Sequence, residues 1–196
     1  MRRAPQIKVC GIRDAEFARR AEELGVDYLG FIFAEGSPRR VSADEAAAIA
    51  SSLQGRAKIV GVFTASSSEK IIEMAKRVPL DVVQLHSAAY GANDAAKIKA
   101  AGFEVWLLNA QGADAVLLDG ADGARSGGTG RRADWERARV LAESGVRVVL
   151  AGGISAENAA AAADTGCAVL DVNSSLETVP GVKSIPLLEA FIRRKS

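Results

Sequence analysis

Histidine is nearly missing from this chain, which has one, His86, and cysteine is almost as rare, with only Cys10 and Cys167. Two cysteines so far apart build no disulfide framework, and neither stands at metal-ligand spacing from the other or from His86. A structural or catalytic zinc centre is therefore not expected. Aromatic residues are few, at 5% of the chain, while Ala and Gly are abundant. Neither sign of charge dominates: 25 Lys plus Arg face 24 Asp plus Glu. No global field draws the chain to nucleic acid or to an anionic membrane. No apolar run approaches the ~20 residues of a membrane span, and the first residues lack a signal peptide's apolar core. A cytoplasmic, soluble protein with no nucleic-acid or membrane partner is the expectation.

What is abundant is alternation. Short β-branched apolar runs at 7–10, 28–33, 59–63, 82–86, 104–108, 115–119, 148–151 and 168–171 are separated by Ala-rich amphipathic stretches at 14–24, 42–53, 67–77, 92–101, 133–144, 155–165 and 184–194. Ser42 with Glu45 forms a capping box at a helix start, and Ser155 with Asn158 nearly does. Gly25, Gly102, Gly145 and Gly166 stand where helices should stop. Nearly continuous apolar strands, each returning through a helix, imply parallel pairing with both faces covered. Eight of them predict an α/β fold, a closed (β/α)8 barrel, in a single domain over residues 1–196.

One interval breaks the rhythm. Between the fifth and sixth strands only NAQGAD (109–114) remains, enough to run back along a strand but too short to add a helix. The fifth helix is predicted to be missing. Its absence should uncover the outer face of strands five and six, with Trp106 or its neighbours forming an apolar patch through which a homodimer could assemble.

In such a barrel the site lies at the strand C-terminal ends. Those ends carry Cys10, the loop AEGSPRR, His86, Asp119, GGTG (127–130), AGGI (151–154) and DVNSS (171–175). Glycine-rich turns leading toward helices let backbone N–H groups close on phosphate, and the last loops of a barrel are where phosphate is usually held. A phosphorylated small molecule is expected. Cys10 and Asp119 could divide base and acid roles, and Arg39 suits a carboxylate on the same ligand. A buried cysteine is more often inert packing, so Cys10 carries both readings on its residue type alone; Cys167, at the start of strand eight, reads as structural.

The motifs KVCGIRD, GFIFAEGSPRRVS, VGVF, QLH, LLD…GGTG…DW, LAGGIS.EN and LDVNSS.E..PGVK occur in order from Lys8 to Lys183. Together they closely resemble phosphoribosylanthranilate isomerases of tryptophan biosynthesis. The resemblance implies a cofactor-free Amadori rearrangement of N-(5'-phosphoribosyl)anthranilate. It implies Cys10 as general base, Asp119 as general acid and Arg39 as the partner of the anthranilate carboxylate. It implies phosphate contacts around Gly128, Thr129, Gly130, Gly152, Gly153, Asn173, Ser174 and Ser175, while Asp171 matches a family aspartate that could contact substrate. The chemistry asks the Cys10 thiol to fall toward neutrality and Asp119 to be raised. The chain departs from the family at His86-Ser87, where a glycine usually follows the histidine, and at Leu107-Leu108, where Lys-Ala is common. The alternatives are a non-catalytic phosphosugar-binding barrel and a histidine-pathway or dual-substrate sugar isomerase. The latter usually carries aspartates where this chain has Cys10 and Leu108.

Overall fold

The structure, a computed structural model, describes residues 4–109, 112–120 and 134–195. Eight strands close into a parallel barrel in sequence order: β1 (Gln6–Cys10), β2 (Tyr28–Ile32), β3 (Lys58–Phe63), β4 (Val82–Leu85), β5 (Glu104–Leu108), β6 (Ala115–Leu118), β7 (Val148–Leu150) and β8 (Val169–Val172). Around them run α1 (Ala15–Glu23), α2 (Ala43–Ser51), α3 (Ser68–Arg77), α4 (Ala92–Ala100), α5 (Trp135–Glu143), α6 (Ala159–Ala163) and α7 (Ile185–Lys195). A short antiparallel hairpin, β9 (Glu177–Val179) with β10 (Val182–Lys183), follows β8 and was not anticipated from the sequence.

Side-chain alternation along each strand divides the apolar residues into two clusters. One lies between strands and helices, with Ile7, Val9, Leu29, Phe31, Val105, Leu107, Val116 and Leu170 among its members. The other fills the barrel with Tyr28, Val60, Val82, Trp106, Leu117, Val149 and Val169. At the strand N-terminal ends an aspartate recurs just ahead of β2, β4 and β6. Asp27, Asp81 and Asp114 each accept a hydrogen bond, at 2.7, 2.7 and 2.8 Å, from an amide of the preceding strand, at Ile7, Ile59 and Val105. These satisfy backbone donors that would otherwise be left at the barrel's lower rim.

The capping box of Ser42 and Glu45 is formed, and the four helix-stop glycines all adopt positive φ. At Ser155 one of the box's two bonds forms, but the helix begins later than residue 155. The Asn158 side chain accepts from the Ser155 amide at 2.9 Å, and the helix starts only at Ala159. Asn158 also donates to the Gly153 carbonyl at 2.8 Å, so the segment closes as a turn that clasps the glycine pair.

Among the described residues no helix separates β5 from β6, as the short spacing required. The apolar patch does not follow, however. Trp106 points into the barrel, fully buried and edge-on to Tyr28 with ring centroids 5.0 Å apart. Its partner in register is Ala115, whose small side chain leaves room for an indole in the barrel interior. The outward residues Val105, Leu107, Val116 and Leu118 are all buried. The face expected to serve as a dimer surface therefore exposes no large apolar side chain among them.

Candidate active site

At the C-terminal end of the barrel a cavity of about 180 Å³ opens between the strands. Of the residues singled out from the sequence, Cys10, Arg39, Asp119, Gly152, Gly153, Asp171, Asn173 and Ser174 all line it. Ser175 does not; its hydroxyl donates to the Ile154 carbonyl at 2.7 Å and ties the loop after β8 to the glycine turn after β7. Gly128, Thr129 and Gly130 lie outside the described residues.

Cys10 ends β1 with its side chain turned into the barrel, opposite Gly30 in register. A Cβ on Gly30 would sit 3.1 Å from Cys10 Sγ and 3.1 Å from Lys8 Cε, so glycine there makes room for both. Gly11, at φ +76°, lets the chain turn where Arg39 and Asn173 converge: a Cβ would meet Arg39 Cδ and Asn173 Oδ1 at 3.0 Å each.

Asp119 follows β6 and faces His86 from the end of β4, with Nε2 and Oδ2 3.0 Å apart. On the other side of that ring, Gln84 Nε2 lies 3.2 Å from His86 Nδ1. Gly152 adopts φ +85°, and a Cβ there would fall 2.4 Å from the Gly120 amide nitrogen and 2.8 Å from Asp119 Oδ1. The glycine turn thus serves the carboxylate's position as well as any anion.

Arg39 is gripped from behind. Its Nε and Nη2 donate to the two Glu177 oxygens at 2.9 and 2.7 Å. Lys183 donates to Glu177 at 2.9 Å and to the Asn173 side chain and carbonyl at 2.7 and 2.8 Å. The β9–β10 hairpin therefore anchors both the guanidinium and the loop after β8. Burial raises the Glu177 carboxyl, but hydrogen bonds from Arg39 and Lys183 outweigh it and hold the group below its ordinary range. Burial brings Lys183 below the usual ammonium value despite Glu177.

On the barrel floor Lys8 Nζ donates to Asp171 Oδ2 at 2.6 Å, both groups buried. Asp171 Oδ1 and Gln84 Oε1 are buried acceptors with no hydrogen-bond partner among the described residues, and both residues line the cavity. Such orphan acceptors are costly unless a ligand donor reaches them. Burial pushes the Asp171 carboxyl up, and Lys8 opposes it. The Cys10 thiol does not fall toward neutrality as expected. Burial pushes it up, and the opposing pull of Lys8 and Lys183 does not compensate.

Sequence reasoning passed over Lys8, Gln84, Glu177 and Lys183. Lys8 could have been found from its parity: two residues before Cys10 on one strand, it must share the barrel interior. Glu177 and Lys183 stand within the quoted.E..PGVK pattern, but no local rule says that they would fold back onto Arg39.

Comparison with known proteins points to one family. Residues 7–194 match the family model described as N-(5'phosphoribosyl)anthranilate (PRA) isomerase. The N-(5'-phosphoribosyl)anthranilate isomerase of Rubrobacter xylanophilus is 36% identical over 200 residues, covering 95% of this chain and 97% of that protein. The crystal structure of phosphoribosyl anthranilate isomerase from Thermus thermophilus superimposes with a TM-score of 0.87 at 34% identity, covering 96% and 97% of the two chains. A phosphoribosyl anthranilate isomerase solved in complex with reduced 1-(o-carboxyphenylamino)-1-deoxyribulose 5-phosphate gives a TM-score of 0.81 at 26% identity, covering 97% and 98%. A (β/α)8 barrel with no helix between β5 and β6 among the described residues, and with a thiol, a carboxylate and an arginine facing one cavity, this chain belongs to the N-(5'-phosphoribosyl)anthranilate isomerase family.

Proposed function

We propose that this enzyme rearranges N-(5'-phosphoribosyl)anthranilate to 1-(o-carboxyphenylamino)-1-deoxyribulose 5-phosphate, the isomerase step of tryptophan biosynthesis, with Cys10 as general base and Asp119 as general acid. Asp119 protonates the furanose ring oxygen, the C1'–O bond breaks, and the anilino nitrogen's lone pair forms the iminium. Cys10 removes the C2' proton, the electron pair neutralises the iminium, and the enolamine tautomerises to the aminoketose. The electrons stay within the substrate, so the iminium itself acts as the sink. The observation that carries the reading is that Cys10, Arg39 and Asp119 line the same cavity.

The raised Cys10 thiol fits a base that is needed only after ring opening. A cation forming beside it favours the thiolate. Arg39, its back edge held by Glu177, takes the anthranilate carboxylate, and Ile32, Ala34 and Val62 give the ring an apolar wall. Backbone amides around Gly152, Gly153, Asn173 and Ser174, with the 128–130 stretch, hold the phosphate; Ser175 secures that loop. Asp171 Oδ1 accepts from a ribose hydroxyl. The reaction takes place in the cytoplasm, in a monomer or a homodimer.

The test follows the fluorescence decay of phosphoribosylanthranilate generated in situ. Wild-type protein should accelerate the loss, and Cys10→Ala and Asp119→Asn should each abolish it while folding normally. No acceleration by folded wild-type chain would refute the reading and leave a phosphosugar-binding barrel.

A further inference from the structure

We propose that Lys8 is a positioning residue for Cys10: its ammonium, fixed on Asp171 inside the barrel, holds a positive charge beside the sulfur and governs how readily Cys10 takes and releases a proton. This rests on the reading above, in which Cys10 is the base, and names what controls it.

The geometry begins with parity. Lys8 and Cys10 are two apart on β1 and share its inward face. Lys8 is fully buried, a position where an apolar side chain would fill the same volume without desolvating a charge. Asp171 lies opposite it in register on β8 and takes its ammonium at 2.6 Å. The Lys8 and Cys10 side chains meet over the missing Cβ of Gly30, which would touch both at 3.1 Å.

The charges around the thiol are mixed, and Lys8 leads those that favour thiolate. Lys183 from β10 acts the same way and Asp171 the opposite way. Arg39, after β2, interacts with the thiol as well, while Asp119 and His86 act on Asp171 from across the cavity. In return Asp171 and Cys10 keep Lys8 protonated: burial works to lower its pKa, and the two acidic groups reverse that.

The experiment titrates Cys10 by iodoacetamide alkylation over the neutral-to-alkaline range, with mass spectrometry separating it from Cys167. Four proteins are compared: wild type, Lys8→Met, Lys8→Arg and the double variant Lys8→Met/Asp171→Asn. The double variant removes both charges together, so that no carboxylate is stranded if the single change fails to fold. Lys8→Met should move the midpoint upward by about one pH unit, roughly tenfold less thiolate at a given pH. Lys8→Arg should recover most of that, and the double variant should still lie above wild type. The kcat for the isomerisation should fall in Lys8→Met with a smaller change in KM. Folded variants that titrate with wild type would overturn the proposal and reduce Lys8–Asp171 to a structural pair. The titration needs no turnover, so an inactive wild-type chain would sink the isomerase reading without deciding this one.

Discussion

Replacing Glu177 with glutamine should cost this enzyme a measurable part of its thermal stability, and the structure sets the size. The carboxylate is the counter-ion of two cations at once, Arg39 through a bidentate pair and Lys183 through a 2.9 Å hydrogen bond. Side-chain exposure is 3% for Glu177, 11% for Arg39 and 3% for Lys183, so water does little to screen them. Removing one partner of a buried ion pair costs roughly 3–5 kcal/mol. The glutamine oxygen still accepts a hydrogen bond, which returns about 1 kcal/mol and leaves roughly 2–4 kcal/mol. In a chain of this length each kcal/mol moves Tm by about 2–4 °C, which gives a fall of roughly 5–15 °C. Circular dichroism melts of wild type and E177Q at neutral pH make the comparison.

The same melts run toward acid test the cause. Because the folded-state carboxyl is held below its unfolded value, its contribution is complete above the unfolded pKa and is lost as pH falls through the folded one. The gap between wild type and E177Q should therefore close in acid as wild type takes up the proton. A neutral-pH difference under about 2 °C, less than one kcal/mol at this chain length, would refute the argument. So would a gap that does not change with pH.

Two further substitutions test the glycine turn beside Asp119 and a buried carboxylate on α1. Gly152→Ala forces a side chain into a φ of +85° with its Cβ 2.4 Å from the Gly120 nitrogen and 2.8 Å from Asp119 Oδ1. The turn carrying Asp119 must shift, and kcat/KM should drop on the order of a hundredfold; unchanged activity in a folded variant would mean that Asp119 is not placed by this contact. Glu22→Ala removes a buried carboxylate that accepts from the amides of Gln54, Arg56 and Ala57 at 2.7, 2.8 and 3.3 Å. Urea unfolding should show a loss of about 3 kcal/mol, and a loss below about 1 kcal/mol would show water replacing those bonds. Burial raises this carboxyl, but the three amides hold it low, so its stabilisation too is lost as pH falls through the depressed value.

Much of the site was legible because barrel chemistry collects at strand ends, and strand ends can be read from apolar runs. Cys10 and Asp119 each end such a run, and the AGGI turn begins on the last residue of another. Trp106 shows where that reading stops. Its residue type and the short β5–β6 connection suggest an exposed patch, yet parity along β5 sends it inward beside Ala115. At Ser155 the pattern gives the bond from its amide to Asn158 but not the helix start, because Asn158 also ties back to the Gly153 carbonyl and the helix begins only at Ala159.

By itself the sequence determined the eightfold alternation, a β5–β6 connection too short for a helix, and that Cys10, Arg39 and Asp119 reach the mouth of the barrel. These depend on local periodicity and on the length of chain available to each connection. Only the tertiary structure decided the partnerships: Lys8 with Asp171, Arg39 with Glu177, His86 with Asp119, and the upward shift of the Cys10 thiol. Each of these depends on closing the barrel, which brings strands remote in sequence into register and removes the water that would otherwise screen their charges.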